Sequence, residues 1–344
     1  MLREKIVNKT FGSAAPLISA DRSRCVRMRF NKSTCRICTS SCRHGAISID
    51  GGIAVDAGKC TACMLCVSEC PSGCFTVTDE DFSILLCKIR KVQKSVPHAV
   101  LGCKHARETG AHEKTGCFGF LSEEHLIAFA GYLDKPLSLN LTSCGGCRNS
   151  FIVETLKERV HRIQSRTTLD IEGKIFLAEN KADMVFEDVP MDRRGFFQAI
   201  RTMGLTRVTD LIEKSCGEVP VSYTAKRLPL RRTAFNNVIS RLKNRTAAAG
   251  ILRMYAFSVL AGTSCTVCSA CIGMCPTGAL RTRKDADASY LLFNSSLCTG
   301  CGLCGDFCPH AALTVTTGFW GKNYFDHDIC NTNAYADVDA AAKM

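Results

Sequence analysis

The sequence predicts an α+β protein, in which two small cysteine-rich repeat domains flank an α/β module and a basic helical linker. Three observations predict it. The spacing C-x2-C-x2-C-x3-C-P occurs once from Cys60 to Pro71 and twice from Cys265 to Pro309. Between residues 81 and 180, short apolar segments alternate with helix-period ones, as in layered α/β structures. From Val219 to Lys284 there is no acidic residue, against Lys226, Arg227, Arg231, Arg232, Arg241, Lys243, Arg245, Arg253, Arg281, Arg283 and Lys284.

The C-terminal repeat is the most regular. It reads Cys265, Cys268, Cys271, Cys275-Pro276 and then Cys298, Cys301, Cys304, Cys308-Pro309. A [4Fe-4S] cube takes four thiolates at the corners of a tetrahedron; one tight loop supplies three, and the cysteine before the proline ligates the other cluster. Cluster A is therefore assigned to Cys265, Cys268, Cys271 and Cys308, and cluster B to Cys298, Cys301, Cys304 and Cys275. Zinc sites with four thiolates use paired C-x2-C knuckles instead. The stretch resembles the bacterial two-cluster ferredoxins, with Gly300, Gly302 and Gly305 letting amide groups approach the sulfurs. The resemblance implies a ferredoxin-like (ββα-repeat) domain over about 261–318 and one-electron redox chemistry.

Taken in order, residues 1–24 are polar and of mixed charge, and read as an arm or edge extension. A second ferredoxin-like domain is expected over 25–80. Its strong half is Cys60, Cys63, Cys66 and Cys70-Pro71; its weak half offers Cys35, Cys38 and Cys42. Alignment on the C-x3-C step puts Lys32 where the first cysteine of the triplet belongs and Arg43 where the proline belongs. Cluster D takes Cys60, Cys63, Cys66 and Cys42. Cluster C takes Cys35, Cys38 and Cys70, with Cys25 as the natural fourth ligand; a three-iron cluster on three cysteines and a degenerate site are the alternatives. After each fourth cysteine, Cys42-Arg43-His44-Gly45-Ala46-Ile47, Cys70 to Phe75, Cys275 to Leu280 and Cys308 to Leu313 align without gaps. Each copy ends in a short strand, so the chain holds four copies of loop, helical turn and strand. Cys74 falls where the other copies have alanine and reads as a small core residue. His44 and His310 read as turn or surface residues beside ligands, able to tune a cluster through a hydrogen bond to sulfur.

In residues 81–180, FSILLCKI and PHAVLGC read as strands, LSEEHLIAFAGYL as an amphipathic helix, and LSLNLTSC as a strand. NSFIVETLKERVHRI follows as a helix and KIFLAE as a strand. Cys103 and Cys144 fall at strand ends, Cys117 before a helix, and Cys147 in the loop C-G-G-C. Strand ends and helix starts of open α/β sheets gather on one edge, so these four thiols are expected to converge there. The arrangement loosely resembles the four-cysteine [2Fe-2S] modules of thioredoxin-like ferredoxins and the small iron–sulfur subunit of methanogen hydrogenase complexes. Zinc, an empty site and a redox-active Cys144–Cys147 dithiol are the rivals. Cys87, Cys216 and Cys330 have no partner at ligand spacing and read as buried or bystander thiols.

Residues 181–260 read as a mostly helical connector. Arg193-Arg194 has the form of a twin-arginine export signal but lies deep in the chain with no apolar run after it, and an Asp192 helix cap explains it better. The acid-free stretch is either a solvated face offsetting cluster charge or a docking surface for an acidic partner. The tail, 319–344, with Trp320, Tyr324 and Phe325, is expected to pack back before an acidic, Ala-rich end.

Composition bounds the function. In 344 residues, 24 cysteines in metal spacing, with neither a signal peptide nor a transmembrane segment, point to a reducing cytoplasm. The formal charge is +12, but each cube with its thiolates adds about −2, so four bring the chain to about +4 and a fifth to about +2. That weakens a nucleic-acid reading, and no nucleic-acid motif accompanies the charge. Nor is there a G-x-G-x-x-G or G-x4-G-K-[ST] fingerprint for a nucleotide. The expectation is a polyferredoxin-like electron carrier, or the electron-transfer subunit of an oxidoreductase complex, relaying single electrons through four [4Fe-4S] clusters. A fifth site with a [2Fe-2S] cluster or zinc is its possible addition. Its expected partners are redox proteins, either an oxidoreductase subunit or a small ferredoxin. The alternative is a reductase acting on a thiol or disulfide at Cys103, Cys117, Cys144 and Cys147.

Overall fold

The computed structural model describes residues 18–77, 81–106, 110–188, 223–285, 288–319, 321 and 323–330. The Arg193-Arg194 pair with Asp192, Cys216, Trp320 and the acidic end lie outside the described residues. Helices and strands are mixed along the chain, as an α+β sequence should give.

The first cysteine-rich unit has four short strands: β1 (Ile18–Ala20), β2 (Ile47–Ser48), β3 (Ala54–Val55) and β4 (Phe75–Val77). Strand β1 pairs antiparallel with β4, and β2 with β3. Of the arm or edge extension expected over 1–24, residues 18–24 take the second form and join this unit: Ser19 Oγ meets Thr76 Oγ1 at 2.8 Å across the β1/β4 pair. Their polarity belongs to an outer strand with one wet face.

The middle module begins with helix α1 (Phe82–Val92), where FSILLCKI had been expected as a strand. The helix period wins because Phe82, Leu85, Leu86 and Ile89 share one buried face, and Asp81 caps it by accepting from the Ser83 and Ile84 amides. Strands β5 (Ala99–Cys103), β6 (Glu113–Thr115), β7 (Leu137–Asn140) and β8 (Ile175–Ala178) form an all-parallel sheet of order β6-β5-β7-β8. A parallel sheet is covered on both faces, so β5 and β7 are apolar and buried. Helices α2 (Glu123–Tyr132) and α3 (Ile152–Arg166) are the expected ones. Helix α2 is not amphipathic in place: residues His125 to Ala130 are all buried. Helix α4 (Leu230–Ile239) covers the side that sequence left for water, with Gly131 lying against Val238.

Helix α5 (Arg245–Tyr255) follows, and the chain then enters the second cysteine-rich unit at strand β9 (Phe257–Ala261). Its other strands are β10 (Leu280–Lys284), β11 (Ser289–Phe293), β12 (Leu313–Thr317) and β13 (Asp328–Ile329). Pairing of β9 with β12 and of β10 with β11 repeats the plan of the first unit, and β13 adds to the free edge of β11. The tail does pack back: Tyr324 donates to Asn236 Oδ1 at 2.8 Å, and its carbonyl accepts from the Ser296 amide.

The basic stretch turns part of its charge inward. Glu124 of α2 faces both Arg231 and Arg232 at 3.1 and 3.0 Å, and Arg232 is buried. Lys226 Nζ donates to the carbonyls of Ile272, Gly273 and Cys275, while Arg29 of the first unit donates twice to the Tyr223 carbonyl. Residues 223–232 therefore tie both cysteine-rich units and the middle module together. Carbonyls and carboxylates at the junction need cations, and the linker supplies them. Among the described residues no helix is long and apolar enough to cross a membrane.

Candidate metal centres

The ligand loops have an unusual backbone. In Cys60–Cys66 and Cys265–Cys271 the two residues that flank the second cysteine are left-handed although none is glycine: Ala62 (φ 53°), Met64 (64°), Val267 (53°) and Ser269 (66°). The third loop puts Gly300 and Gly302 at the same places. Such a conformation costs a non-glycine residue about 1–2 kcal/mol. Alternation of left- and right-handed residues turns successive amides to one side of the chain, making a concavity for a negatively charged group. The fourth loop departs from this, as Lys32 warned: Arg36 is at φ −132°, and Ile37 already begins a helical turn.

Each loop leads into a helical turn, 37–41, 65–69, 270–274 or 303–306, carrying Cys38, Cys66, Cys271 or Cys304. One cysteine of each loop and turn faces its own site, and the next, at Cys42, Cys70, Cys275 or Cys308, faces the site of the other half. Cys25, Cys35, Cys38 and Cys70 line one small cavity. Cys42, Cys60, Cys63 and Cys66 line another. In the second unit the Cys271 thiol faces Cys265, Cys268 and Cys308, and the Cys304 thiol faces Cys298, Cys301 and Cys275.

Burial, and after it neighbouring thiols, favours the protonated form of several of these groups. Cys38, Cys271 and Cys298 are pushed up to about 11 and Cys301 to about 12, with Cys66 and Cys304 moved up as well. A bound cationic core inverts that logic, since metal-bound thiols are deprotonated outright. The loops also donate to sulfur. The amides of Ala46, Cys74 and Ala312 reach the sulfurs of Cys42, Cys70 and Cys308 at 3.3 Å, each four residues on, and the Gly300 amide reaches Cys298 at 3.4 Å. All-sulfur donor sets, converging amides and closed cavities suit cubes of iron and sulfide.

The middle cysteines gather on the carboxyl edge of the parallel sheet. Cys103 ends β5, Cys117 follows β6 by two residues, and Cys144 and Cys147 follow β7. Cys117, pushed up to about 12 by burial, faces Cys103 and Cys144; Cys144, pushed up to about 11 by burial, faces Cys103 and Cys147. Among the described residues no three His, Cys, Asp or Glu groups converge as a single ion would need. For Cys144 the direction is opposite to that of an activated C-x-x-C nucleophile.

The fold adds neighbours to three residues. Cys74, read as a small core residue, is buried in the same cavity as Cys25, and the hydrogen bond between the two thiols draws Cys25 down to about 6. Its alanine-like position in the repeat hid that contact. His44 lines the cavity of Cys42 and Cys60, and its buried Nε2 has no protein partner. Cys330, one residue after β13, is buried near Cys265 and Cys271, a proximity that spacing does not signal. His310 Nε2 meets Thr266 Oγ1 at 3.2 Å, and Cys87 is exposed on α1.

Paired strand units, left-handed ligand loops and exchanged fourth cysteines together define an iron–sulfur protein. Two 4Fe-4S ferredoxin-type domains are present: residues 264–312 match the family model of the 4Fe-4S dicluster domain, and residues 53–76 match that of the 4Fe-4S binding domain. No curated protein and no solved structure matches the chain.

Proposed function

We propose that this chain is a polyferredoxin-like electron-transfer protein with two ferredoxin-like domains flanking an α/β module. It relays single electrons through four [4Fe-4S] clusters between redox partner proteins, as a carrier or as a subunit of an oxidoreductase complex. Cluster A is held by Cys265, Cys268, Cys271 and Cys308, and cluster B by Cys298, Cys301, Cys304 and Cys275. Cluster C is held by Cys25, Cys35, Cys38 and Cys70, and cluster D by Cys60, Cys63, Cys66 and Cys42. One observation carries this: in both units the fourth cysteine of each half lies with the thiols of the other half. Bound there, a cube supplies one-electron exchange, gaining an electron as its donor loses one with no bond made or broken. The chain's own work is ligation, exclusion of water and donation of amide hydrogen bonds to sulfur. A reducing, cytoplasmic setting keeps the thiols available.

Anaerobic purification with iron and sulfide analysis and EPR of the reduced protein tests this. The expected content at the four sites is about 16 irons per chain. Half that value removes the N-terminal pair, and loss of Cys275 without effect on either C-terminal signal overturns the exchange of ligands.

A further inference from the structure

We infer that Cys103, Cys117, Cys144 and Cys147 hold a fifth iron–sulfur cluster, and that it ends a single line of five centres running A, B, C, D and fifth. The inference rests on the electron-transfer reading above and names its last station.

The line is built from four junctions. Within each ferredoxin-type unit the two sites share their helical turns. Residues 270–274 carry Cys271 toward A and are followed by Cys275 toward B, and residues 65–69 carry Cys66 toward D and are followed by Cys70 toward C. Between the units, Phe30 packs edge-on against Phe307 with ring centroids 5.2 Å apart. The same contact brings Arg29 near Cys275 and Cys301, and Cys70 near Cys301, so B adjoins C.

The last junction is the tightest. Gly119, two residues after Cys117, lies against the Cys63 carbonyl so closely that a Cβ there would overlap that oxygen. On the other side, Asn149 and Thr61 clasp each other. Thr61 Oγ1 donates to Asn149 Oδ1 at 2.7 Å, and Asn149 Nδ2 donates to the Thr61 carbonyl at 3.0 Å. Thr61 sits between Cys60 and Cys63, while the Asn149 amide donates to the Cys147 sulfur at 3.4 Å. The loop of Cys147 is therefore stapled to the loop of cluster D, and the Cys117 thiol faces Cys63.

Chemistry favours iron over zinc. The donors are all sulfur, they come from three successive loops, and they converge no more tightly on one point than those of the other four sites. Zinc has no redox change to exchange with a neighbour, so stapling it to a cluster would gain nothing. Exposure marks the ends. Cys268 of A and Cys147 of the fifth site are exposed, whereas none of the cysteines of B, C and D is, and Cys25, Cys38, Cys63, Cys66, Cys70 and Cys275 among them are buried. A reduced one-electron donor at one end gives up one electron, and an oxidised one-electron acceptor at the other takes it; no proton or ligand is transferred.

The test uses the full-length protein purified anaerobically, with Cys144→Ser and, in case that half-buried change unfolds the chain, the exposed Cys147→Ser. Iron, sulfide and zinc are measured per chain, together with EPR of the reduced forms. The expected result is loss of two or four irons against wild type, with the signals of A and B kept and that of D altered by loss of its coupled neighbour. Unchanged iron, zinc at the site, or a Cys144–Cys147 disulfide in its place would overturn the fifth cluster. Altered signals at A with D untouched would overturn the order. Failure of the underlying reading looks different: wild type itself would lack the iron of sites A to D.

Discussion

At the scale of single residues, Cys25 and Cys74 share one cavity but have different tasks. In the proposed cluster C, Cys25 is the fourth thiolate and Cys74 a buried thiol beside it. Cys74→Ala should leave iron per chain unchanged while shifting the potential of that centre. Cys25→Ser should lower iron by one to four atoms or convert the centre to a three-iron form visible in the oxidised EPR spectrum. Iron analysis of both variants distinguishes the roles; iron loss on Cys74→Ala alone would exchange them. His125 offers a separate check, away from the ligands. It is buried against Phe82 and Phe120, faced by Arg231 and Arg159, and its Nδ1 accepts from the Ser122 amide at 3.3 Å. Burial, then the arginines, lower it from 6.5 to about 3. The unfolded chain takes up a proton below pH 6.5 and the folded one does not, so this stability is complete above pH 6.5. It falls by about 1.4 kcal/mol per pH unit below that, down to the folded value near 3. The apparent Tm of wild type should therefore drop more between pH 7.5 and 5.5 than that of His125→Gln.

At the scale of elements, the junctions are held by groups with little room to change. Gly119→Ala sets a methyl against the Cys63 carbonyl, and neither backbone can yield cheaply. The expected cost is about 2–3 kcal/mol, with the signal of cluster D disturbed and those of A and B intact. Arg159 of α3 is buried, donates to the carbonyls of Gly119 and Leu121 and to Ser68 Oγ, and pairs with Glu69 at 2.5 Å. Arg159→Met keeps the volume but leaves buried acceptors without partners, so about 3 kcal/mol should be lost, read by thermal unfolding. A loss under 0.5 kcal/mol would mean that water replaces the guanidinium there. The same elements show where sequence reading failed. FSILLCKI was taken for a strand because its apolar run was weighed by content, although Phe82, Leu85, Leu86 and Ile89 already kept a helical period behind an Asp81 cap.

At the scale of the molecule, the two cores are unequal. The first ferredoxin-type unit shares one large core with the middle module and α4, while the second unit has a small core of its own that is rich in ligand cysteines. A small unit with few buried apolar side chains and many thiols packed among them depends on its metal for folding. Iron removal under denaturant-free chelation should let β9 to β12 exchange amide hydrogens freely while β5, β7 and α2 stay protected, as mass spectrometry can read. Equal protection of both regions would show that the second unit folds without iron.

By itself, the sequence determined the two 4Fe-4S ferredoxin-type domains and the α/β character of the middle, because cysteine spacing and strand–helix periodicity are local properties. It also flagged the one irregular loop, at Lys32, where the backbone departs from its three counterparts. Only the tertiary structure decided that Cys74 stands beside Cys25, that residues 18–24 close the first unit, and that Arg231 and Arg232 face inward on Glu124. It alone set the D loop against the loops of Cys117 and Cys147. These are contacts between segments far apart in the chain, and their partners are chosen by burial and complementary charge, which leave no period in the sequence.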